Sequence, residues 1–100
     1  MTPAVPVFNE VIHAPQRLRI CAMLSGAQKL EFRLLQERLE LSKSALSKHL
    51  TLLVDAGYVS QDRTLQNSRN RLWLSLTPEG ARAYAAHVEA LQQIVAAHDT

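Results

Sequence analysis

Lys43, Ser44, Ser47, Lys48 and Thr51 share one face if residues 43–56 are helical, and no acidic side chain interrupts that stretch before Asp55. Two ammonium groups and three hydroxyls there offer donors and positive charge, with nothing beside them to repel an anion. Arg63, Arg69 and Arg71 form a second cationic set around a polar segment containing Asn67, Ser68 and Asn70. Phosphate oxygens and the hydrogen-bonding edges of bases in a groove are the chemistry that such residues suit. An amphipathic helix normally turns a polar face to water, however, so the meaning of this face depends on the elements around it.

Other chemistries find less support. The four histidines stand at 13, 49, 87 and 98, no Ser/His/Asp grouping has local support, and there is no glycine-rich phosphate loop. We therefore expect no enzyme, no catalytic residue and no cofactor. Cys21 has no second cysteine to join it in a metal pair or a disulfide, and His87 and Glu89 lack the helical spacing that would place two ligands together, so no metal site is expected. On a core helix a lone cysteine reads as a small buried hydrophobe, with a redox switch as the alternative. The start of the chain lacks a basic region followed by an apolar stretch, and no apolar run is long enough for a membrane span. A cytoplasmic location, nucleoid-associated if the polyanion is DNA, is the expectation.

The chain has 100 residues, 47% of them hydrophobic, with 11 Lys+Arg against 9 Asp+Glu for a net charge of +2. That length suits one domain over 1–100. The small net charge conceals an uneven distribution: residues 1–40 carry +1, residues 41–76 carry +3 and residues 77–100 carry −2.

The hydrophobic pattern gives helices followed by a hairpin. Val7, Phe8, Val11 and Ile12 make one face of a short helix over 6–13, and Pro15 restarts the chain into a helix to Ser25 that carries Leu18, Cys21, Ala22 and Leu24, closed by Gly26. Arg17 and Arg19 on it are expected to reach water. Lys29–Phe32 reads as an extended link, and Phe32, Leu35 and Leu39 mark a third helix. Ser42 is a good N-cap for the fourth, in which Leu46, Leu50 and Leu53 form the buried stripe and Gly57 the left-handed stop. After Gly57 the period falls to two: strands are expected over Tyr58–Thr64 and Arg71–Leu76, with a hairpin loop over residues 65–70. Thr77, Pro78 and Glu79 then supply a capping hydroxyl, an N1 proline and a first-turn acid for a last helix reaching about His98.

Two adjacent helices spanning 31–56, followed by a hairpin over 58–76, make a winged helix-turn-helix, a mainly α fold with a small β component. The residues also carry a family resemblance. Ser42-Lys43-Ser44-Ala45-Leu46-Ser47-Lys48-His49-Leu50, with Leu53 and Asp55-Ala56-Gly57-Tyr58-Val59, resembles the recognition helix and following strand of MarR and ArsR bacterial transcription regulators. Leu74-Ser75-Leu76-Thr77-Pro78-Glu79-Gly80 is similar to the junction that closes the wing in MarR-type proteins. The resemblance implies a dimeric regulator of transcription, a repressor by expectation, that binds double-stranded DNA at a pseudo-palindromic operator. Helix 43–56 would enter the major groove and the wing, residues 64–71, would meet the backbone or minor groove. Lys43, Ser44, Ser47, Lys48, Thr51, Arg63, Arg69 and Arg71 are the candidate contacts. Ser42 reads as a cap more than a reader of DNA, and His49 stands between partial burial and a phosphate contact. Trp73 could cover an edge, stack on an arginine or pack on a partner, packing being the expectation.

Ala81, Tyr84, Val88, Leu91, Val95 and His98 recur at spacings of three and four, a heptad-like seam on a helix of 78–98. With the apolar helix 6–13 it suggests a homodimer interface formed by Val7, Phe8, Val11, Tyr84, Val88, Leu91 and Val95, the alternative being that the two termini pack on each other within one chain. A small-molecule effector site is implied by the MarR resemblance, with few aromatics available to line it. Two other functions stay open: a metal- or redox-responsive regulator of the ArsR type, and a winged helix that binds protein without binding DNA.

Overall fold

The computed structural model describes residues 7–97. In chain order the elements are α1 (Glu10–His13), α2 (Pro15–Ser25), β1 (Leu30–Glu31), α3 (Phe32–Leu39), α4 (Lys43–Asp55), β2 (Val59–Gln66), β3 (Arg69–Leu76) and α5 (Pro78–Ala97). The fold is mostly helical with one antiparallel sheet of order β1-β3-β2. It is the winged helix expected from the sequence, with one strand more. The link after α2 becomes β1, pairing Leu30 with Leu74 and Glu31 with Trp73.

Local chemistry sets the boundaries. Ser42 Oγ accepts from the Ala45 amide at 3.1 Å and opens α4. At its end the Tyr58 amide donates to the Leu53 carbonyl at 3.0 Å and the Gly57 amide to Val54 at 2.9 Å. This is a Schellman stop, and Gly57 takes the left-handed φ of 83° that it requires. Thr77 Oγ1 accepts from the Gly80 amide at 2.9 Å and so caps α5, while donating to the Gly57 carbonyl at 2.6 Å. The end of α4 and the start of α5 are thereby fixed to each other.

The core gathers Ile12, Ile20, Cys21, Leu24, Leu35, Leu39, Leu46, Leu50, Leu53, Val59 and Leu74. Burying each large aliphatic side chain contributes about 2 kcal/mol. Leu46, Leu50 and Leu53 turn the apolar stripe of α4 inward, which forces its polar side out. Leu74 is buried, and Leu72 and Leu76 pack against the core from the same strand face.

The hairpin is longer and tighter than its sequence suggests. Arg69 pairs with Gln66, leaving Asn67 and Ser68 as the whole connection. Their φ values of 53° and 63° are those of a type I′ turn, whose twist matches that of the flanking strands. Pairing therefore continues through residues 65, 66, 69 and 70, which the sequence assigned to a loop.

The terminal elements also depart from expectation. Pro6 lies outside the described residues. Helix α1 begins at Glu10 because Asn9 Oδ1 accepts from the Ile12 amide at 3.0 Å and caps it, so Val7 and Phe8 precede the helix. Val11 packs on the core, and Phe8 lies against the rings of His13 and His87. For these two side chains the structure provides an intrachain environment. On α5 the residues buried within the chain are Gly80, His87 and Ala90, a set distinct from the seam expected to meet a second copy. Tyr84 is partly buried against the core, Val95 is 65% exposed, and His98 lies outside the described residues. Among the described residues no helix is long and apolar enough to cross a membrane.

Candidate nucleic-acid interface

The capped N-terminus of α4 and its buried leucines leave Lys43, Ser44, Ser47, Lys48 and Thr51 exposed along one side. Their hydroxyls are not equivalent. Thr51 Oγ1 donates to the Ser47 carbonyl at 2.9 Å, so its proton is used within the helix and it presents acceptor lone pairs and a methyl group outward. Ser44 Oγ lies 3.3 Å from Ser42 Oγ, which itself serves as the cap. Ser47 and the two lysines have no such hydroxyl contact and donate outward on this side.

His49, beside the leucine stripe, is half-buried. Its Nδ1 stands 3.2 Å from Arg17 Nη1. A guanidinium can only donate, so Nδ1 accepts and the imidazole carries its proton on Nε2. Burial, then the charges of Arg17 and Lys48, lower the His49 pKa from its ordinary value and favour the neutral ring. Of its two readings, partial burial is the one observed. Arg17, expected in water, is half-buried, and its Nε donates to the Val11 carbonyl. It ties α1 to α4, a link that no spacing in the sequence announces.

The strand register divides the wing cations between two faces. Arg63 lies opposite Leu72, whereas Arg71 lies opposite Thr64 on the other face, two residues from Trp73. Arg63 and Arg69 are exposed. Arg71 is half-buried and pairs with Glu31 at 3.2 Å, so part of its charge is neutralised within the chain. Trp73, expected to pack on a partner, has neighbours within its own chain: Nε1 donates to Thr64 Oγ1 at 3.1 Å, and Lys29 Nζ sits 4.8 Å from the ring centroid.

Between α3, α4 and the hairpin runs a cleft of about 420 Å³ that brings together Arg33, Lys43, Ser47, Arg63 and Asn70. Lys43, Ser47 and Arg63 were candidates from the sequence; Arg33 and Asn70 were not. Arg33 follows Phe32 at the start of α3, and the core positions Leu35 and Leu39 turn it outward. That outward position was legible in the apolar spacing of α3, but its convergence with Arg63 depends on the hairpin register. Arg69 and Arg71 line a separate concavity with Lys29 and Trp73.

Cys21 is buried, and burial pushes its thiol pKa up to about 11, which keeps it protonated and a poor nucleophile at neutral pH. Among the described residues no three His, Cys, Asp or Glu side chains converge to hold a metal ion.

Comparison with known proteins agrees with this geometry. An uncharacterised protein of Methanocaldococcus jannaschii is 28% identical over 88 residues, covering 88% of this chain and 91% of its own. The structure of HlyU from Vibrio cholerae N16961 is 30% identical, with a TM-score of 0.64 over 85% of this chain and 84% of that one. A transcriptional regulator homologue from Pyrococcus horikoshii OT3 shares the fold at a TM-score of 0.86, with 23% identity over 92% of this chain and 91% of that one. The sequence profile of the winged helix DNA-binding domain matches residues 16–95. With that profile spanning most of its length, the chain belongs to the winged helix DNA-binding domain family.

Proposed function

We propose that the protein is a sequence-specific regulator, acting as a repressor, that binds a pseudo-palindromic operator in double-stranded DNA as a homodimer. The observation that carries this reading is the exposed, acid-free side of α4 formed by Lys43, Ser44, Ser47, Lys48 and Thr51, flanked by the wing cations. A B-DNA major groove about 12 Å wide accepts one α-helix, and short donors can read base edges there. Arg63 on the cleft side and Arg69 near the hairpin tip act on phosphates, and Arg33 and Asn70 extend the contact across the cleft.

Dimerisation uses α5. Along it Tyr84 and Val88 border an apolar groove of about 780 Å³ with Leu24 and Leu76, and Leu91 and exposed Val95 continue toward its end. A two-fold pair presents its recognition helices to half-sites about one helical turn apart. Val7 is exposed and joins that interface, while Phe8 and Val11 support it from within the chain. In this reading residues 7–13 and 78–97 make the dimer end and 31–76 the DNA end of a single domain.

Gel mobility shifts on the region upstream of its own gene, at two salt concentrations and with the mass of the complex measured by light scattering, test both parts. A shift that weakens steeply with salt, at a mass of two chains per operator, supports the reading, since about half a dozen cations per subunit would each release counterions. Absence of any shift at low salt overturns it.

A further inference from the structure

His87 is fully buried in the middle of α5, and both of its ring nitrogens are engaged by the segment that precedes α2. The Asn9 amide donates to Nδ1 at 2.9 Å, and Nε2 lies 3.3 Å from His13 Nδ1. Phe8 closes the group, with its ring centroid 4.5 Å from that of His13 and 4.8 Å from that of His87. Asn9 adds a second tie through Nδ2, which donates to the Tyr58 hydroxyl at 2.9 Å.

The direction of these bonds fixes the protonation state. A backbone amide can only donate, so His87 Nδ1 carries no proton and the neutral ring has its hydrogen on Nε2. That hydrogen points to His13 Nδ1, which must accept, so His13 is also neutral with its proton on Nε2. A proton added to His87 would set an N–H against the Asn9 amide. A proton added to His13 would set one against His87 Nε2–H. The same assignment disfavours a metal ion between the rings, because ligation through His87 Nε2 would need Nδ1 to donate.

We propose that this junction is a proton-operated latch: with His87 neutral it holds residues 7–13 on α5, and protonation of His87 releases that segment. The inference is independent of the DNA reading, since none of these groups lies on the exposed side of α4.

The surrounding charges act in the same sense on balance. Burial comes first and His13 second in lowering the His87 pKa, with Glu10 opposing them. Glu10 and His13 are the groups that α1 brings to His87. Helix α2 also packs on α5, but its Arg17 is committed to Val11 and His49, its Arg19 is exposed and bound to Gln16, and its Cys21 thiol stays neutral. From β3, which also packs on α5, Arg71 is held by Glu31 and Arg69 is exposed near the hairpin tip. A lowered folded pKa means that the released state binds more protons. Docking is therefore at full strength above the ordinary histidine pKa of about 6.5 and weakens as pH falls from there through the lowered value.

Amide hydrogen exchange at Asn9, normalised for the intrinsic pH dependence of exchange, reads the latch. From about pH 8 to about pH 5 the wild-type protein should lose protection at Asn9 by about tenfold or more, while Leu46 and Leu53 amides keep theirs. The double variant His13→Phe, His87→Asn retains an aromatic ring beside Phe8 and an acceptor toward the Asn9 amide, but neither residue titrates; its protection should stay level over that range. Unchanged protection in the wild type, or equal loss in the variant, overturns the proposal. Should the variant not fold, ring nitrogen shifts of the wild type decide: both rings as Nε2–H tautomers at high pH, with the Asn9 signal moving at the His87 midpoint, support the latch. Another tautomer or an Asn9 signal that ignores the midpoint refutes it.

Discussion

Arg17 Nη1 and His49 Nδ1 meet at 3.2 Å, joining α2 to α4 on the side away from its exposed hydroxyls. Because Arg17 Nε also holds the Val11 carbonyl, one side chain connects α1, α2 and α4. The orientation of α4 is thus set by more than its leucines.

Replacing Arg17 with Met should therefore disturb DNA binding without removing a DNA contact. Loss of two hydrogen bonds donated by a charged guanidinium to neutral acceptors predicts about 1–3 kcal/mol lower stability and a comparable weakening of operator binding. The slope of log affinity against log salt should stay at its wild-type value, because no phosphate contact is lost. A reduced slope would instead move Arg17 onto the DNA. The contact also has a pH signature: the His49 pKa is lowered, so the neutral ring supports the fold fully above about 6.5 and that support fades as pH falls through the lowered value.

Arg69 and the α4 polar side should separate cleanly in titrations against operator and random DNA. Arg69→Ala, which removes an exposed cation near the hairpin tip, is expected to weaken binding to all sequences and to flatten the salt slope by about 0.9. Ser47→Ala or Lys48→Ala should change the preference among operators, by about 1–3 kcal/mol where a base contact is lost. If all three variants gave the same sequence-independent loss, α4 would not be reading bases.

The Glu31–Arg71 pair gives the opposite kind of prediction, a gain. Its 3.2 Å contact holds a wing cation against β1. Glu31→Gln leaves the shape but removes the charge, so Arg71 should become available and the salt slope should steepen by about one contact. Stability should change by less than about 1 kcal/mol, as for other partly exposed ion pairs. Adding Arg71→Ala should cancel the gain; an unaltered slope in the single variant would confine Arg71 to a structural role.

Helix α4 and the start of α5 were legible in the sequence because each is specified locally. Ser42 and Gly57 bracket α4, and Thr77 and Pro78 open α5, with every signal within a few residues of the boundary it sets. The missing pieces depend on distant partners. Leu30 and Glu31 form a strand only because Leu74 and Trp73 lie alongside, a pairing too short to leave a period-two pattern. Asn67-Ser68 lacks the glycine that marks most two-residue turns, so the register that divides Arg63 from Arg71 was hidden. His87 shows the same limit: its partner is an amide 78 residues away, which no local spacing announces. For the site, residue types on α4 could be read directly, whereas Arg33 and Asn70 enter only through the cleft that tertiary packing creates.

Two glycines offer a paired test of the α5 docking geometry. A Cβ built on Gly80 would lie 2.0 Å from the Tyr58 carbonyl oxygen, a backbone atom held in position by the Thr77 amide at 3.0 Å. Neither side can yield without breaking that hydrogen bond or moving the first turn of α5, so Gly80→Ala should cost about 3 kcal/mol or more. For a domain of this size the loss corresponds to a fall in Tm of more than about 10 °C. Gly26 differs: a Cβ there would meet only the Met23 carbonyl oxygen at 3.8 Å, and its φ of −89° suits any residue. Gly26→Ala should therefore be neutral or raise stability by about 0.4–1 kcal/mol through the unfolded chain. Thermal melts of the two variants beside the wild type read both effects. A Gly80→Ala protein as stable as the wild type would mean that α5 does not approach the start of β2 this closely.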